Sequence, residues 1–548
     1  MSKISKIHSI NREITAIRPD EIVTNFMGGD SYSVNPMTTL KMLSASSIFG
    51  EPQYYRGSGL ASSKRTTNEL LEGYSLFADL ADDKTTDEVM VEAIDNALSY
   101  NFEETLKWAV ELRNNFYMRL NPQVIMVRAA VHPGRKKFTE ENPGKFNEYN
   151  EKVMFRADDP LSQMSYYLYA NDGHSRIPSV LKRSWAAKLG SLSPYAVNKY
   201  KNAEISMIDA VRLCHAKSGT IDKLMNGELV VEDADKTWEM LRSSGIGWAE
   251  IFHSVNMGHM ALLRNLNGFF SEVTDFQTCK DYCNKLKSGV LKGKQFPFRY
   301  FTAYKRIMAS DIKHKQMALD TLEECLDISV EVMPKLNGRT AILSDNSGSA
   351  WGTLNSEYGT VTVAEINNLS AVISALRSDA GEVYVFGDHL IKCPVLKRNG
   401  ILKQALEISE MANESVGGGT ESGIWLFFKE AIECKEKFDN IFIYSDQQAG
   451  HGKLYSMPSL MPKSMANKFG TGHCSGYAVF VNVFKLILEY RKTVNKYVNV
   501  FSIQTAGYTN AVIPEYAYRT NLMYGWTGKE ALFASEMIRL WDEVDGHK

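Results

Sequence analysis

The period of the hydrophobic pattern changes near Pro334 and Asn337-Gly338, and this change constrains the fold more than any single motif. Before it, segments such as 88–100, 103–113, 180–189, 207–215 and 257–266 repeat apolar residues every three or four positions, the spacing of one helix face. Loops bearing Pro or Gly separate them, at Asn121-Pro122, His132-Pro133-Gly134, Asn142-Pro143-Gly144, 191–194 and 243–247. Many short amphipathic helices predict stacked antiparallel pairs, an α-solenoid, although no repeat of fixed period is visible. Residues 1 to about 60 are mixed, with Gly28-Gly29-Asp30 and 50–56 reading as loops. After the change, apolar runs and helical stretches alternate through 340–344, 363–376, 383–386, 401–411, 422–433, 441–444, 479–490, 498–503 and 530–541. Such alternation predicts a largely parallel sheet wrapped by helices. A chain of 548 residues also exceeds one ordinary core, so two or more domains are expected.

Several classes are excluded by composition. A hydrophobic share of 44% with 23% charged residues is that of a globular protein, not a disordered one. The formal net charge of −2 gives a nucleic-acid reading no global support, so any basic surface must be local. The seven cysteines are scattered and odd in number, and no second Cys or His pair follows Cys279 and Cys283 at zinc-finger spacing. They read as reduced thiols of a cytoplasmic protein. The start, Met1-Ser2-Lys3-Ile4-Ser5-Lys6, lacks the apolar stretch of a signal peptide, and no run reaches membrane-spanning length, so no membrane partner is expected.

The run 339–344 ends in the sequence Asp345-Asn346-Ser347-Gly348-Ser349. A carboxylate at a strand's C-terminal end, followed by two hydroxyls at alternate positions, sits where open α/β sheets place ligands. Carboxylate and hydroxyl oxygens are hard donors that suit Mg2+ or Mn2+ rather than zinc. The bland alternative is a Ser-rich strand-to-helix loop in which Ser349 caps a helix. Two later stretches bear on the choice. Thr420 follows Gly417-Gly418-Gly419 on a loop where backbone can approach a ligand closely, and a second apolar run, 441–444, ends in Ser445-Asp446. The order D-x-S-x-S, then G-G-G-T, then S-D resembles the metal-ion-dependent adhesion site (MIDAS) of von Willebrand factor A domains. On that resemblance Asp345, Ser347, Ser349, Thr420 and Asp446 would hold the metal. The stretch 454–476, with Pro458, Pro462, Gly470, Gly472 and Gly476, reads as a long loop beside this site.

A local basic surface lies elsewhere. From Arg176 to Leu224 nine Lys and Arg stand against three acids, Glu204, Asp209 and Asp222, with Trp185, Tyr195, Tyr200 and His215 among them and His174 just before. Cations that neutralise phosphates, near rings on which unpaired bases stack, are what RNA binding requires. The competing reading is a solvated helix face with its aromatics in the core.

The stretches 177–183, Val197-Asn198-Lys199-Tyr200-Lys201 and 209–215 resemble the Y-RNA-binding region of the Ro 60 kDa (TROVE) family, in its bacterial or phage form. Ala261-Leu262-Leu263-Arg264-Asn265-Leu266, 296–304, and Phe49-Gly50 through Tyr54-Tyr55-Arg56 agree with it. The resemblance implies a HEAT-like repeat ring at 18–336 followed by a von Willebrand A domain, Rossmann-like, at 337–548. It also implies binding of small noncoding Y-like RNA on the outer surface of the ring and of single-stranded ends of misfolded RNA in its hole, for RNA quality control. Lys182, Arg183, Lys199, Lys201, Arg212 and His215 are the matching RNA-binding positions. The insertion-like stretch from about 138 to 160 and the loop 454–476 depart from the family pattern.

The expected mechanism is binding without catalysis, since the motif supplies no nucleophile and no positioned general base. A bound Mg2+ would keep positions for water or for the carboxylate of a docking protein such as a ribonuclease. Two rivals stay open: a Mg-dependent phosphohydrolase or nuclease, weakened because Asn346 and Ser347 leave no second aspartate after Asp345, and a metal-dependent protein-interaction scaffold.

Overall fold

The computed structural model describes residues 22–24, 30–46, 86–171, 176–201, 203, 205–230, 236–293, 295–351, 353–356, 359–417, 423–445, 467–475, 478–505, 511–514, 517–524 and 530–546. Among these, one compact unit takes 35–246 and the other takes 22–34 with 247–546. Secondary-structure type changes at Leu336, as the periodicity predicts, but the division between compact units falls between Ile246 and Gly247. The helices from 247 to 331 therefore pack with the sheet rather than with the earlier helices.

Among its described residues the regular elements of the first unit are all helices: α1 (Pro36–Ser46), α2 (Thr86–Tyr100), α3 (Phe102–Asn114), α4 (Asn121–Val131), α5 (Arg135–Glu141), α6 (Lys145–Val153), α7 (Asp159–Ala170), α8 (Ser179–Gly190), α9 (Pro194–Lys199), α10 (Met207–Cys214), α11 (Gly219–Met225) and α12 (Trp238–Ser243). Short helices persist because their first turns are capped. Ser193, Ser206 and Ser218 accept bonds from the backbone N–H of Ala196, Asp209 and Ile221 at 3.3, 3.1 and 3.3 Å. Helices near in sequence stack, α3 on α4 and on α6, α4 on α7, and α8 on α6 and α10, as a helical repeat array does. The insertion-like stretch at 138–160 is an integral part of this stack. Phe138 and Phe146 are buried, and Arg113 of α3 reaches it with bonds to Val153 O at 3.2 Å and Asp159 Oδ2 at 2.8 Å.

The second unit opens on a small hairpin, β1 (Ile22–Thr24) with β2 (Asp30–Tyr32), then resumes at α13 (Trp248–Ser254), α14 (His259–Glu272), α15 (Phe276–Ser288), α16 (Val290–Gly293), α17 (Pro297–Met308) and α18 (Lys315–Glu331). His259 is the polar anchor of this group. Its Nδ1 lies 2.9 Å from Leu286 O and its Nε2 2.8 Å from Tyr300 Oη, and a Cβ added at Gly293 would meet its ring at 2.4 Å. Burial lowers the His259 pKa, against the opposing pull of the Leu286 carbonyl. Above the unfolded value of about 6.5 the neutral ring costs nothing; below it the unfolded chain takes a proton that the fold refuses. Stability is expected to fall as pH drops below about 6.5, read as a lower urea midpoint at pH 5.5 than at pH 7.5. His259→Gln should flatten that difference, and an unchanged slope would show that other groups cause it.

The strands are β3 (Leu336–Asp345), β4 (Thr353–Ser356), β5 (Gly359–Thr362), β6 (Ser378–Phe386), β7 (Leu390–Cys393), β8 (Asn440–Ser445), β9 (Gly470–Ser475), β10 (Ala478–Val481), β11 (Asn499–Gln504) and β12 (Thr520–Tyr524). Between and after them run α19 (Val363–Leu376), α20 (Ile401–Ser415), α21 (Gly423–Glu433), α22 (Val483–Thr493) and α23 (Glu530–Asp545). Six strands form one sheet in the order β12-β11-β8-β3-β6-β7, parallel except for the antiparallel edge strand β7. Every residue of β8 and β11 is buried, as strands covered on both faces require. The helices before the sheet are tied into it: Glu323 of α18 accepts the N–H groups of Leu402 and Lys403 at 3.0 and 2.8 Å, which caps α20 from outside.

The fold class read from the sequence, an α-solenoid followed by a Rossmann-like α/β domain of von Willebrand A type, is the one observed. Two local expectations are corrected. The stretch 479–490 is not one element; its start belongs to β10, and a helix begins only at Val483, where Asn482 caps Lys485 N at 3.0 Å. The 454–476 loop is in its last part a strand, β9, paired antiparallel with β10; residues 454–466 and 476 lie outside the described residues. No helix among the described residues is long and apolar enough to cross a membrane.

Candidate metal centre and candidate nucleic-acid surface

The chain leaves β3 for β6 and β7 on one side, then returns to β8 on the other, so the order of strands reverses between β3 and β8. In open parallel sheets the crevice beyond the strand ends at such a reversal receives ligands. Asp345 is the last residue of β3 and Ser445 the last of β8, so both stand at this point.

Asp345 is fully buried. Its Oδ1 accepts Ser347 N–H at 2.9 Å and its Oδ2 accepts the Ser445 hydroxyl at 2.7 Å. The Ser347 and Ser349 hydroxyl oxygens lie 3.1 Å apart, and Ser349 opens a 3-10 turn, Ser349–Trp351. The turn brings the two hydroxyls together and the Ser347 backbone N–H onto the carboxylate. In an octahedral Mg2+ shell with bonds of about 2.0–2.1 Å, adjacent oxygens stand about 2.9 Å apart, so the pair fits neighbouring coordination positions. Thr420 and Asp446, the remaining predicted ligands, lie outside the described residues. The described approach to the glycine-rich loop does come to this end of the sheet. His389 N–H, just past β6, donates to Val416 O at 2.9 Å, and Gly417 takes φ +79° against Asp388, where a Cβ would meet Oδ2 at 2.3 Å.

A polar layer beneath the site was not read from the sequence. Asn368 of α19 donates to Asn346 Oδ1 at 2.8 Å and to Ser409 Oγ at 2.9 Å, and its own Oδ1 accepts from Asn346 Nδ2 at 2.9 Å and Ser344 Oγ at 2.6 Å. Asn367 donates to Asp345 O at 3.1 Å, while its buried Oδ1 has no donor among the described residues. Adjacent asparagines inside an otherwise apolar helix were the available signal, since buried amides persist only where bonds are waiting. The donor set is all oxygen, and no group of three or more His, Cys, Asp or Glu converges among the described residues. Such a site suits a hard cation and fits Mg2+ or Mn2+.

The basic surface belongs to the helical unit. Arg183, Lys199, Lys201, Arg212 and His215 are exposed and Lys182 is half-buried. Arg212 has one acidic neighbour, Asp209 at 3.8 Å on its own helix, with both side chains about two-thirds exposed (66% and 62%). Such a pair contributes little and leaves the guanidinium available. His215 ends α10 in the left-handed region, φ +59°, and Lys182 of α8 lies close enough to Cys214 to influence its thiol electrostatically. Lys182 and His215 thus come to the same end of α10. Lys201 accepts Met207 N–H through its carbonyl at 3.1 Å, which joins α9 to α10. The aromatics divide. Trp185 is fully buried and donates to Gln163 Oε1 at 2.8 Å, so it is a core residue, whereas Tyr195 is exposed and Tyr200 half-exposed with Lys199 Nζ 5.8 Å from its ring centre.

No protein-family model matches the chain, and no curated protein matches it. Among solved structures, the Ro (RSR) protein of Deinococcus radiodurans is similar, with a TM-score of 0.52 at 13% identity over 89% of this chain and 100% of that one. At this identity the likeness is one of fold, and it extends across both the helical and the α/β parts.

Proposed function

We propose that the chain is an RNA-binding protein of the Ro type, which holds small noncoding RNA and the single-stranded ends of misfolded RNA. The observation that carries this reading is the exposure of five cationic or titratable side chains, Arg183, Lys199, Lys201, Arg212 and His215, on successive helices of a Ro-like fold. With an overall charge of −2, such a surface is not a by-product of a basic chain. The cations neutralise phosphates, while His215 and the exposed tyrosines meet unpaired bases. The test is a filter-binding titration with a small structured RNA across 50–300 mM salt. The logarithm of the affinity is expected to fall linearly with the logarithm of salt, by about 0.7–0.9 per phosphate contacted. Absence of binding at the lowest salt would overturn the reading.

We propose further that Asp345, Ser347 and Ser349 hold Mg2+ or Mn2+, with Thr420 and Asp446 as the remaining oxygen donors of the motif. When bound, the ion supplies open positions for water or for a carboxylate of a docking protein. The protein's own part is positional. The Ser347 N–H and Ser445 hydroxyl orient the Asp345 carboxylate, and the asparagine layer holds the turn that carries the two hydroxyls.

A further inference from the structure

Phe155 is 71% exposed, and its backbone is hydrogen-bonded through both its N–H and its carbonyl. Its N–H donates to Val153 O at 2.8 Å and its carbonyl accepts Lys188 Nζ at 3.4 Å. The Arg113 guanidinium lies 5.7 Å from the ring centre and is itself locked, with bonds to Val153 O, Met118 O and Asp159 Oδ2 at 3.2, 2.9 and 2.8 Å. A single exposed apolar residue is ordinary. A phenyl ring backed on one side by a buried arginine and open on the other is a prepared surface. Its neighbours are cations. Arg156 follows it in sequence and donates to Tyr200 Oη at 3.0 Å, and Lys199 lies over the Tyr200 ring. The acids beside it are both buried and already bound, Asp158 by Arg156 at 3.0 Å and Arg119 at 2.5 Å, and Asp159 by Arg113 at 2.8 Å.

We infer that Phe155 is a base-stacking platform for a single-stranded segment of RNA, with Arg156 and Lys188 as the phosphate contacts beside it. The inference rests on the RNA-binding reading and deepens it. An unpaired base covers the open face of the ring, while the arginine behind supplies the favourable cation–π contact. Charge favours RNA as the occupant: Arg156 and Lys188 flank the ring with Lys199 close by at Tyr200, and a strand stacked on the ring brings phosphates to these cations. The platform lies on the stretch between α6 and α7.

The experiment uses the full chain and two RNA oligomers of equal length, one of adenylates and one abasic, with 2-aminopurine at one position of the adenylate strand. Phe155→Ala is expected to weaken adenylate binding about tenfold to a hundredfold and to relieve the quenching of 2-aminopurine, with little effect on the abasic strand. Phe155→Trp should restore both. Lys188→Ala should lower the salt slope by about 0.7 with either strand. Circular dichroism and the melting temperature of each variant establish that it is folded. Equal affinity of wild type and Phe155→Ala for the adenylate strand overturns the inference and assigns the ring to another kind of partner. Failure of the wild type to bind either strand or structured RNA overturns the underlying reading as well.

Discussion

Replacement of Lys199, Lys201 and Arg212 together by alanine is expected to weaken binding of a small structured RNA roughly a hundredfold at about 0.15 M salt. The size follows from counterion release. Each phosphate contact contributes about 0.7–0.9 to the slope of log affinity on log salt, so at 0.15 M each is worth about 0.6–0.7 of a log unit and three are worth about two. The slope itself should fall by about 2–3. The fold should be almost indifferent, because the three side chains are exposed. The pair of Arg212 with Asp209 spans 3.8 Å in solvent, and the contact of Lys199 with the Tyr200 ring is at the surface. Melting temperatures of wild type and variant should agree within about 2 °C. An affinity within twofold of wild type in a variant that melts normally would remove these residues from the RNA surface. Trp185 sits in the same stretch but answers differently: its ring is wholly enclosed, so Trp185→Ala should unfold the helical unit before any loss of RNA can be read.

That contrast shows where a linear reading of the chain reaches its limit. Positions 182–215 announce a basic face through composition, but which aromatics belong to it depends on burial, and burial of a helix side depends on neighbours far along the chain. Trp185 satisfies its indole against Gln163 of another helix; Phe155, from a stretch set aside as an insertion, stands out in solvent. The helices themselves were legible because serine caps and three- to four-residue periodicity are local signals: 88–100, 103–113 and 180–189 recur as α2, α3 and α8 with ends displaced by one or two residues. Strands β3, β8 and β11 were legible because buried parallel strands are continuous apolar runs. The edge strands β7 and β12 were not. Leu390–Cys393 carries Lys392 and Thr520–Tyr524 carries Asn521, and pairing on one side alone does not demand an apolar run.

The D-x-S-x-S motif was legible for a different reason. Its spacing is set by one turn that follows one strand, so Asp345, Ser347 and Ser349 had to meet if the strand ended where the apolar run ended. The partners that arrive from elsewhere were not legible. Ser445 reaches Asp345 only because β8 lies next to β3, and Asn367 and Asn368 reach the loop only because α19 packs across its end. These residues serve the site through sheet order and helix placement, which no local pattern encodes. Compactness likewise follows contacts rather than element type. The helices 247–331 join the sheet through bonds such as those of Glu323 to the start of α20, although their periodicity is the same as that of the helices before them.

The Asp345 carboxylate and the two serine hydroxyls can be separated experimentally, because the carboxylate also supports the fold. In Asp345→Ala the buried Ser347 N–H and Ser445 hydroxyl each lose an acceptor, at a cost of about 1–3 kcal/mol apiece, so the variant should lose roughly 2–6 kcal/mol of stability without any metal. Ser347→Ala with Ser349→Ala removes only the hydroxyl pair and should cost about 1 kcal/mol. Magnesium discriminates further. An ion that binds the folded state alone stabilises by about 2.7 kcal/mol at one hundred times its dissociation constant, so the wild type should gain stability between EDTA and saturating Mg2+. Both variants should lose that gain and the calorimetric heat of Mg2+ binding, since Mg2+ tolerates little departure from six well-placed oxygens. Urea unfolding in EDTA reads the first effect and the Mg2+ increment reads the second. A double-serine variant that keeps the full increment would remove the hydroxyls from the coordination shell, and the strand-end loop would then be what its composition alone suggests: a hydrogen-bonded turn after β3.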